Sequence, residues 1–152
     1  MADLLGSYSS AEFTRQGKYI ASRDFLTVKI WDTCNAKKPV ITIPVNEGLK
    51  GKLSEMFENE AIFDKFSIVA SPDGNTIGSG SFNNCFHMMD QDGANTQYEL
   101  NYKKSTIAKQ MVGKGSALGR VDYLKKTTAM DFHPSRNTCA VASLNCFFLY
   151  SM

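Results

Sequence analysis

With 152 residues, 43% hydrophobic and 21% charged, the chain is long enough for one domain with a buried core, and its usage is ordinary for a globular protein. Seventeen Lys and Arg against 15 Asp and Glu leave a formal charge of +2, too small to argue for nucleic acid. No run of about 18 apolar residues occurs, so no membrane partner is expected, and the opening Met1-Ala2-Asp3-Leu4-Leu5-Gly6 lacks the basic and apolar regions of a secretory signal. Cys34, Cys85, Cys139 and Cys146 are scattered, with no Cys-x-x-Cys, which suits a reducing compartment where thiols pack as small core residues. The expectation is an intracellular, cytoplasmic protein, with the nucleus as a second location.

Three segments share one grammar. The first strand, Ala11-Glu12-Phe13-Thr14, leads through Gln16-Gly17 to Tyr19-Ile20-Ala21-Ser22, and the unit closes at Lys29-Ile30-Trp31-Asp32. The second runs from Phe66-Ser67-Ile68-Val69 through Pro72-Asp73-Gly74 to Thr76-Ile77-Gly78-Ser79, closing at His87-Met88-Met89-Asp90. The third starts at Ala129-Met130-Asp131-Phe132, turns at Pro134-Ser135-Arg136-Asn137 and runs on to Phe147-Phe148-Leu149-Tyr150. Pro, Asp, Asn and Gly at these turns are what hairpins require. Strand, turn, small-residue strand, turn and aromatic strand, three times over, predict propeller blades, and Trp31-Asp32 is the dipeptide that ends the third strand of a WD-repeat blade.

The repeat spacing, about 57 to 62 residues, exceeds the roughly 40–45 of a plain WD repeat. Two insertions explain the excess. Between blades at about 9–46 and 61–100, residues 47–60 carry Leu49, Leu53, Met56 and Phe57 at i, i+4, i+7 and i+8, which predicts a short amphipathic helix that Gly48 and Gly51 weaken. Before the third blade at about 127–152, residues 101–126 are rich in Lys, Gly and Ser and read as a loop. The expected architecture is all-β: about three blades of a propeller, residues 1–152, with a short helical insertion. Such a ring normally needs four or more blades. The chain is therefore expected to be a fragment or truncated product, lacking the outermost strand of its last blade and prone to self-association through uncovered apolar faces and a free strand edge near Cys146–Tyr150.

The stretch Phe13-Thr14-Arg15-Gln16-Gly17-Lys18-Tyr19-Ile20-Ala21-Ser22-Arg23-Asp24-Phe25-Leu26-Thr27-Val28-Lys29-Ile30-Trp31-Asp32 resembles the WD-repeat B-type regulatory subunit of protein phosphatase 2A. That family has Arg-Asp-[Tyr/Phe]-Leu-[Ser/Thr]-Val-Lys-[Val/Ile]-Trp-Asp at this place. The resemblance continues through Ile62-Phe63-Asp64-Lys65-Phe66, Gly80-Ser81-Phe82-Asn83-Asn84-Cys85-Phe86, His133-Pro134 and Ala140-Val141-Ala142. It implies the last part of a seven-bladed propeller with no catalytic site, metal or cofactor. Its partners would be the helical-repeat scaffold subunit, the catalytic subunit and phosphoprotein substrates. By position, Phe57, Glu60, Phe63 and Lys65 would contact substrate; the family usually has Tyr at Phe57 and Asp at Glu60. The hairpin that grips the scaffold lies, in the family, upstream of the position of Met1, so scaffold binding is expected to suffer.

Other patterns have plainer readings. Asp24 and Asp32 resemble an acid–base pair but suit blade hydrogen bonds better, and Trp31 suits blade core. His87 and His133, near Cys85 and Cys139, lack the spacing of zinc ligands. Gly113-Lys114-Gly115-Ser116 lacks the upstream Gly and the Lys-[Ser/Thr] pair of a phosphate loop. Lys103, Lys104, Lys109, Lys114, Arg120, Lys125 and Lys126 are either a solvated basic loop or a contact for acidic partners. Glu47, Glu55, Glu58, Glu60 and Asp64 form an acidic group that is either a solvated helix face or a dock for a basic substrate segment. The competing functional reading is a generic WD-repeat interaction scaffold, or a truncated chain, without phosphatase binding.

Overall fold

The computed structural model describes residues 2–110 and 120–152; the Gly113–Ser116 motif and Lys114 lie outside them. A one-turn helix, α1 (Ala2–Leu5), precedes the first sheet. That sheet is an antiparallel meander of β1 (Ser10–Thr14), β2 (Tyr19–Arg23), β3 (Thr27–Asp32) and β4 (Ile41–Pro44). The second adds one strand to the same plan: β5 (Ile68–Ala70), β6 (Thr76–Gly80), β7 (Cys85–Asp90), β8 (Asn95–Asn101) and β9 (Thr106–Gln110). The third has β10 (Thr127–Phe132), β11 (Thr138–Ser143) and β12 (Cys146–Ser151). Three antiparallel meanders in succession are the partial propeller that the repeat grammar predicts.

Local chemistry sets the turns. Between β1 and β2 the backbone enters the left-handed region at Gln16 (φ 56°) and Gly17 (φ 88°), which only a Gly-containing turn accepts readily. Between β2 and β3, one carboxylate organises the hairpin. Asp24 Oδ1 accepts the backbone N–H groups of Leu26 (3.0 Å) and Thr27 (2.7 Å), while Oδ2 accepts the Thr27 hydroxyl (2.7 Å) and the Lys29 ammonium (2.5 Å). Burial pushes this carboxyl up, but the bonds from Lys29 and Thr27 together outweigh it and hold Asp24 below its ordinary pKa. Asp24→Ala is therefore expected to cost about 2 kcal/mol, since hydrogen bonds to a charged group are worth about 1.5–3. Urea unfolding of the variant beside wild type measures this, and a loss below about 0.5 kcal/mol would contradict it.

The sheets pack face to face. Ala21, Val28, Ile30 and Ile43 of the first meet Ile68, Ile77 and Met89 of the second. Phe86, Met88 and Leu100 of the second meet Met130, Phe132, Cys139 and Val141 of the third. The innermost strands β1, β5 and β10 contact one another in that order, as blades around an axis would. A third cluster, Phe25, Leu49, Met56, Ala61, Ile62, Phe66, Phe82 and Val121, gathers the insertion onto one end of the sheets.

The insertion is helical, though only partly α. Residues Glu47–Lys52 form a 3-10 helix and α2 spans Leu53–Glu58. Leu49 and Met56 are buried and Leu53 half-buried, so three of the four stripe residues face the core; Phe57 is exposed.

The segment after residue 100 differs from its reading as a loop. β9 pairs antiparallel with β8 from Asn101↔Thr106 to Gln97↔Gln110. Its one large apolar residue, Ile107, packs against the cluster between the second and third sheets. A single apolar side chain among Lys, Ser and Thr is too weak a pattern to show a strand; pairing with β8 supplies what the sequence lacks.

Candidate functional site

The four residues carried over by resemblance lie on and after the insertion. Phe57, at the penultimate position of α2, is 52% exposed, and Phe63 is 54% exposed. Their ring centroids stand 6.1 Å apart with planes tilted by 51°, so the two aromatics form one exposed pair. Glu60 is exposed between them, in the left-handed region (φ 59°, ψ 3°). That turn is fixed by Glu60 N–H donating to Phe57 C=O (3.1 Å) and Phe63 N–H donating to Glu60 C=O (3.2 Å).

The alternation of buried and exposed residues aims this segment. Ala61 and Ile62 are buried in the end cluster, Phe63 turns outward, Lys65 is exposed, and Phe66 is buried again. Phe66 stacks edge-on against Phe82 at 5.0 Å and lies 5.3 Å beneath the Arg23 guanidinium. The exposed groups therefore sit on a short backbone stretch pinned at both ends. Asp64 forms an ion pair with Lys126, which ties the segment to the start of the third sheet.

Phe63 and Lys65 line one cavity of about 300 Å³, together with Tyr8, Asp24, Phe25 and Asp64. Phe57 and Glu60 are outside that lining; Phe57 reaches it only through its contact with Phe63. Tyr8 was not among the sequence candidates. It comes to the site because Ser9 donates to the Phe66 carbonyl (3.0 Å) and Ser10 accepts from Ile68 N–H (3.1 Å), long-range bonds that no local pattern announces. Lys29 lies 5.4 Å from the centroid of the Tyr8 ring. Burial lowers the Lys29 pKa, but Asp24, and secondarily Tyr8, outweigh that and raise it.

Asp24 is at the cavity wall with its oxygens already engaged in the hairpin, so its position is structural. Asp32 caps its own turn, accepting from Cys34 N–H at 2.8 Å, and Trp31 Nε1 donates to Ser22 Oγ at 2.8 Å. His87 is buried with Nδ1 3.0 Å from Asn95 Oδ1, whereas His133 Nδ1 accepts from Ser135 and Arg136 N–H in its own exposed turn. Among the described residues, no three His, Cys, Asp or Glu side chains are grouped to hold a metal. Of the acidic group, Glu47 pairs with Lys50, Asp64 pairs with Lys126 and Glu55 lies beside the Tyr123 hydroxyl, leaving Glu58 and Glu60 exposed beside the aromatic pair.

No family model matches the chain. It is 33% identical over 166 aligned residues to the serine/threonine-protein phosphatase 2A regulatory subunit phr2AB of Dictyostelium discoideum, a match covering 99% of this chain and 34% of that protein. It is 32% identical over 181 residues to the B-type regulatory subunit of protein phosphatase PP2A of Schizosaccharomyces pombe, covering 99% of this chain and 39% of that one. The chain thus spans about a third to two fifths of the length of these curated relatives. Along virtually its whole length, and with three successive antiparallel blades, the chain is similar to one part of the B-type regulatory subunits of protein phosphatase 2A.

Proposed function

We propose that this chain is a non-catalytic regulatory component of a phosphatase 2A complex, holding phosphoprotein substrates for a catalytic subunit that is a separate polypeptide. Its partners on this reading are the helical-repeat scaffold, the catalytic subunit and the substrates; it needs no cofactor. The observation that carries the reading is the exposed Phe57–Phe63 pair beside Lys65, held on a segment whose neighbours are buried. Large aromatics left in solvent on a rigid support are the usual anchors of a docking surface. Glu58 and Glu60 would orient a basic stretch of the substrate, and the cavity beside Phe63 and Lys65 would take an apolar side chain. Catalysis gains by proximity: a substrate held on the propeller presents its phosphate to the neighbouring subunit at high effective concentration. Residence in the cytoplasm, with the nucleus second, belongs to the same proposal and is checked by fractionation.

The test compares the wild-type chain with a Phe63→Ala, Lys65→Ala double variant, both immobilised and offered phosphoproteins that a phosphatase 2A holoenzyme dephosphorylates. The expected result is retention by wild type and a loss of at least about tenfold in the variant, the effect of removing one hot-spot aromatic and its neighbour. Equal retention by both would sink this assignment. Both side chains are exposed, so the variant should fold, which circular dichroism checks.

A further inference from the structure

Two stretches of the chain carry one pattern, a pair of lysines just ahead of two hydroxyl residues and an apolar one. They are Lys103-Lys104-Ser105-Thr106-Ile107 and Lys125-Lys126-Thr127-Thr128-Ala129. Cations three and two residues before a threonine are what basophilic Ser/Thr kinases read, because acidic groups of the kinase pair with both while the hydroxyl reaches the nucleotide. The sequence offers both stretches equally, and the structure separates them.

The second stretch is stitched into the fold along its length. Lys125 C=O accepts from Asn84 N–H (2.9 Å), Lys126 C=O accepts from Ser143 Oγ (2.8 Å), and Thr127 N–H donates to Ser81 C=O (2.9 Å). Thr128 C=O accepts from both the N–H (3.3 Å) and the hydroxyl (3.0 Å) of Ser67. Lys126 is engaged with Asp64, and Thr127 is fully buried. Reading this stretch would mean unpicking the junction of the second and third sheets.

The first stretch lies open. It is the tip of the hairpin between β8 and β9, in the middle sheet, which packs against a sheet on either side. Lys103, Lys104, Ser105 and Thr106 are all exposed. β9 is the last strand of its sheet, and among the described residues no strand pairs with its outer edge. The tip closes through the Asn101↔Thr106 pair and through Lys104 N–H donating to Asn101 Oδ1 at 3.1 Å. Ser105 stands in the left-handed region (φ 49°), a conformation that costs a non-glycine residue energy and that opening the tip relieves. Firm anchors flank it. The Tyr102 hydroxyl donates to Asn84 Oδ1 at 2.9 Å and its ring centroid lies 5.6 Å from that of Phe148, while Ile107 packs on the second inter-sheet core. The tip can therefore open locally without loosening the sheets.

We propose that Thr106 is a phosphorylation site for a basophilic Ser/Thr kinase, which recognises it through Lys103 and Lys104. Thr106 Oγ1 attacks the γ-phosphorus of ATP and its proton passes to the kinase's base. The bond from that phosphorus to the oxygen bridging to the β-phosphate breaks, releasing ADP. The new group carries a charge of about −1.5 to −2 at neutral pH, which offsets the two lysines and turns the tip from cationic to near neutral.

The test incubates the full folded chain with ATP, Mg²⁺ and the catalytic subunit of a kinase that reads basic residues at those two positions, then maps phosphopeptides by mass spectrometry. Phosphate is expected on Thr106 and should be lost in Thr106→Ala. A Lys103→Ala, Lys104→Ala double variant should be labelled at least about tenfold more slowly, because each substitution removes a charged contact with the kinase. Lys103→Arg with Lys104→Arg should restore the rate. All three side chains are exposed, so the variants keep the fold. Phosphate on Ser105 or Thr128 in place of Thr106, or equal labelling of the double alanine variant, overturns the proposal. So does a folded chain that stays unlabelled, whether or not a synthetic peptide of residues 101–110 takes the phosphate.

Discussion

Replacing Gly80 with alanine is expected to force apart the second and third sheets and lower stability by about 3 kcal/mol, the upper part of the usual overpacking range. A Cβ at this position would lie 1.6 Å from the Thr127 carbonyl oxygen and 2.7 Å from its carbonyl carbon. Neither atom can rotate away, because both are backbone. Thr127 is also held in place: its N–H donates to Ser81 C=O at 2.9 Å and it pairs with Ser143 across β10 and β11. Gly51 is the internal control. Nothing stands within 4 Å of a Cβ there, so Gly51→Ala should leave stability unchanged or raise it slightly. Denaturant unfolding of the three proteins measures both effects. A Gly80→Ala variant within about 0.5 kcal/mol of wild type would show that the second and third sheets do not meet as described.

The second large effect is acid sensitivity centred on His87. This side chain is buried in β7, and burial lowers its pKa from 6.5 to about 4, against the contrary pull of its hydrogen bond with Asn95 and with some help from the Arg23 charge. The folded state thus holds the imidazole neutral where the unfolded chain would bind a proton. Stability from this group is fully present above about pH 6.5 and is lost as pH falls towards 4, about 3 kcal/mol in all. Asp24 acts elsewhere: its pKa lies below 3.8, so its contribution persists until the pH falls beneath that value. A His87→Gln variant should flatten the profile between pH 6.5 and 4. Thermal unfolding across that range, unchanged in slope by the substitution, would contradict the assignment.

The fold was legible in the sequence where its determinants are local. Turn residues such as Gln16-Gly17 and Pro72-Asp73-Gly74, with an alternating strand on either side, mark hairpins whatever surrounds them. The stripe of Leu49, Leu53 and Met56 likewise announced a helix that packs inward. Elements made by long-range contact were not legible. β9 exists because Ile107 finds the second inter-sheet core, and the cavity beside Phe63 exists because residues 8–10 are tied to 66–68. Arg23 shows the same limit. A charged residue in a strand reads as solvent-facing, yet it is fully buried between the first two sheets, donating to Ser79 Oγ at 3.0 Å and to Asp24 C=O at 2.9 Å while lying over Phe66. Burial brings its pKa down to about 10, with Asp24 opposing, so it stays charged at neutral pH.

Of the candidate site, sequence resemblance supplied Phe57, Glu60, Phe63 and Lys65, and the structure gathers them unequally. Phe57 and Phe63 form one aromatic pair, and Phe63 and Lys65 share one cavity. Glu60 owes its place to the left-handed turn that joins the two aromatics, a conformation a sequence without Gly or Asn at that position does not suggest.

Phosphatase association is decided by expressing the tagged chain in cells, recovering it, and probing for the catalytic and scaffold subunits of phosphatase 2A, with the Phe63→Ala, Lys65→Ala variant alongside. If the proposed function holds, the chain should bring down both subunits, the scaffold in reduced amount, and equally for wild type and variant, because the two substitutions lie at the proposed substrate contact and not at an assembly surface. Recovery of neither subunit by a folded chain would contradict the regulatory role itself.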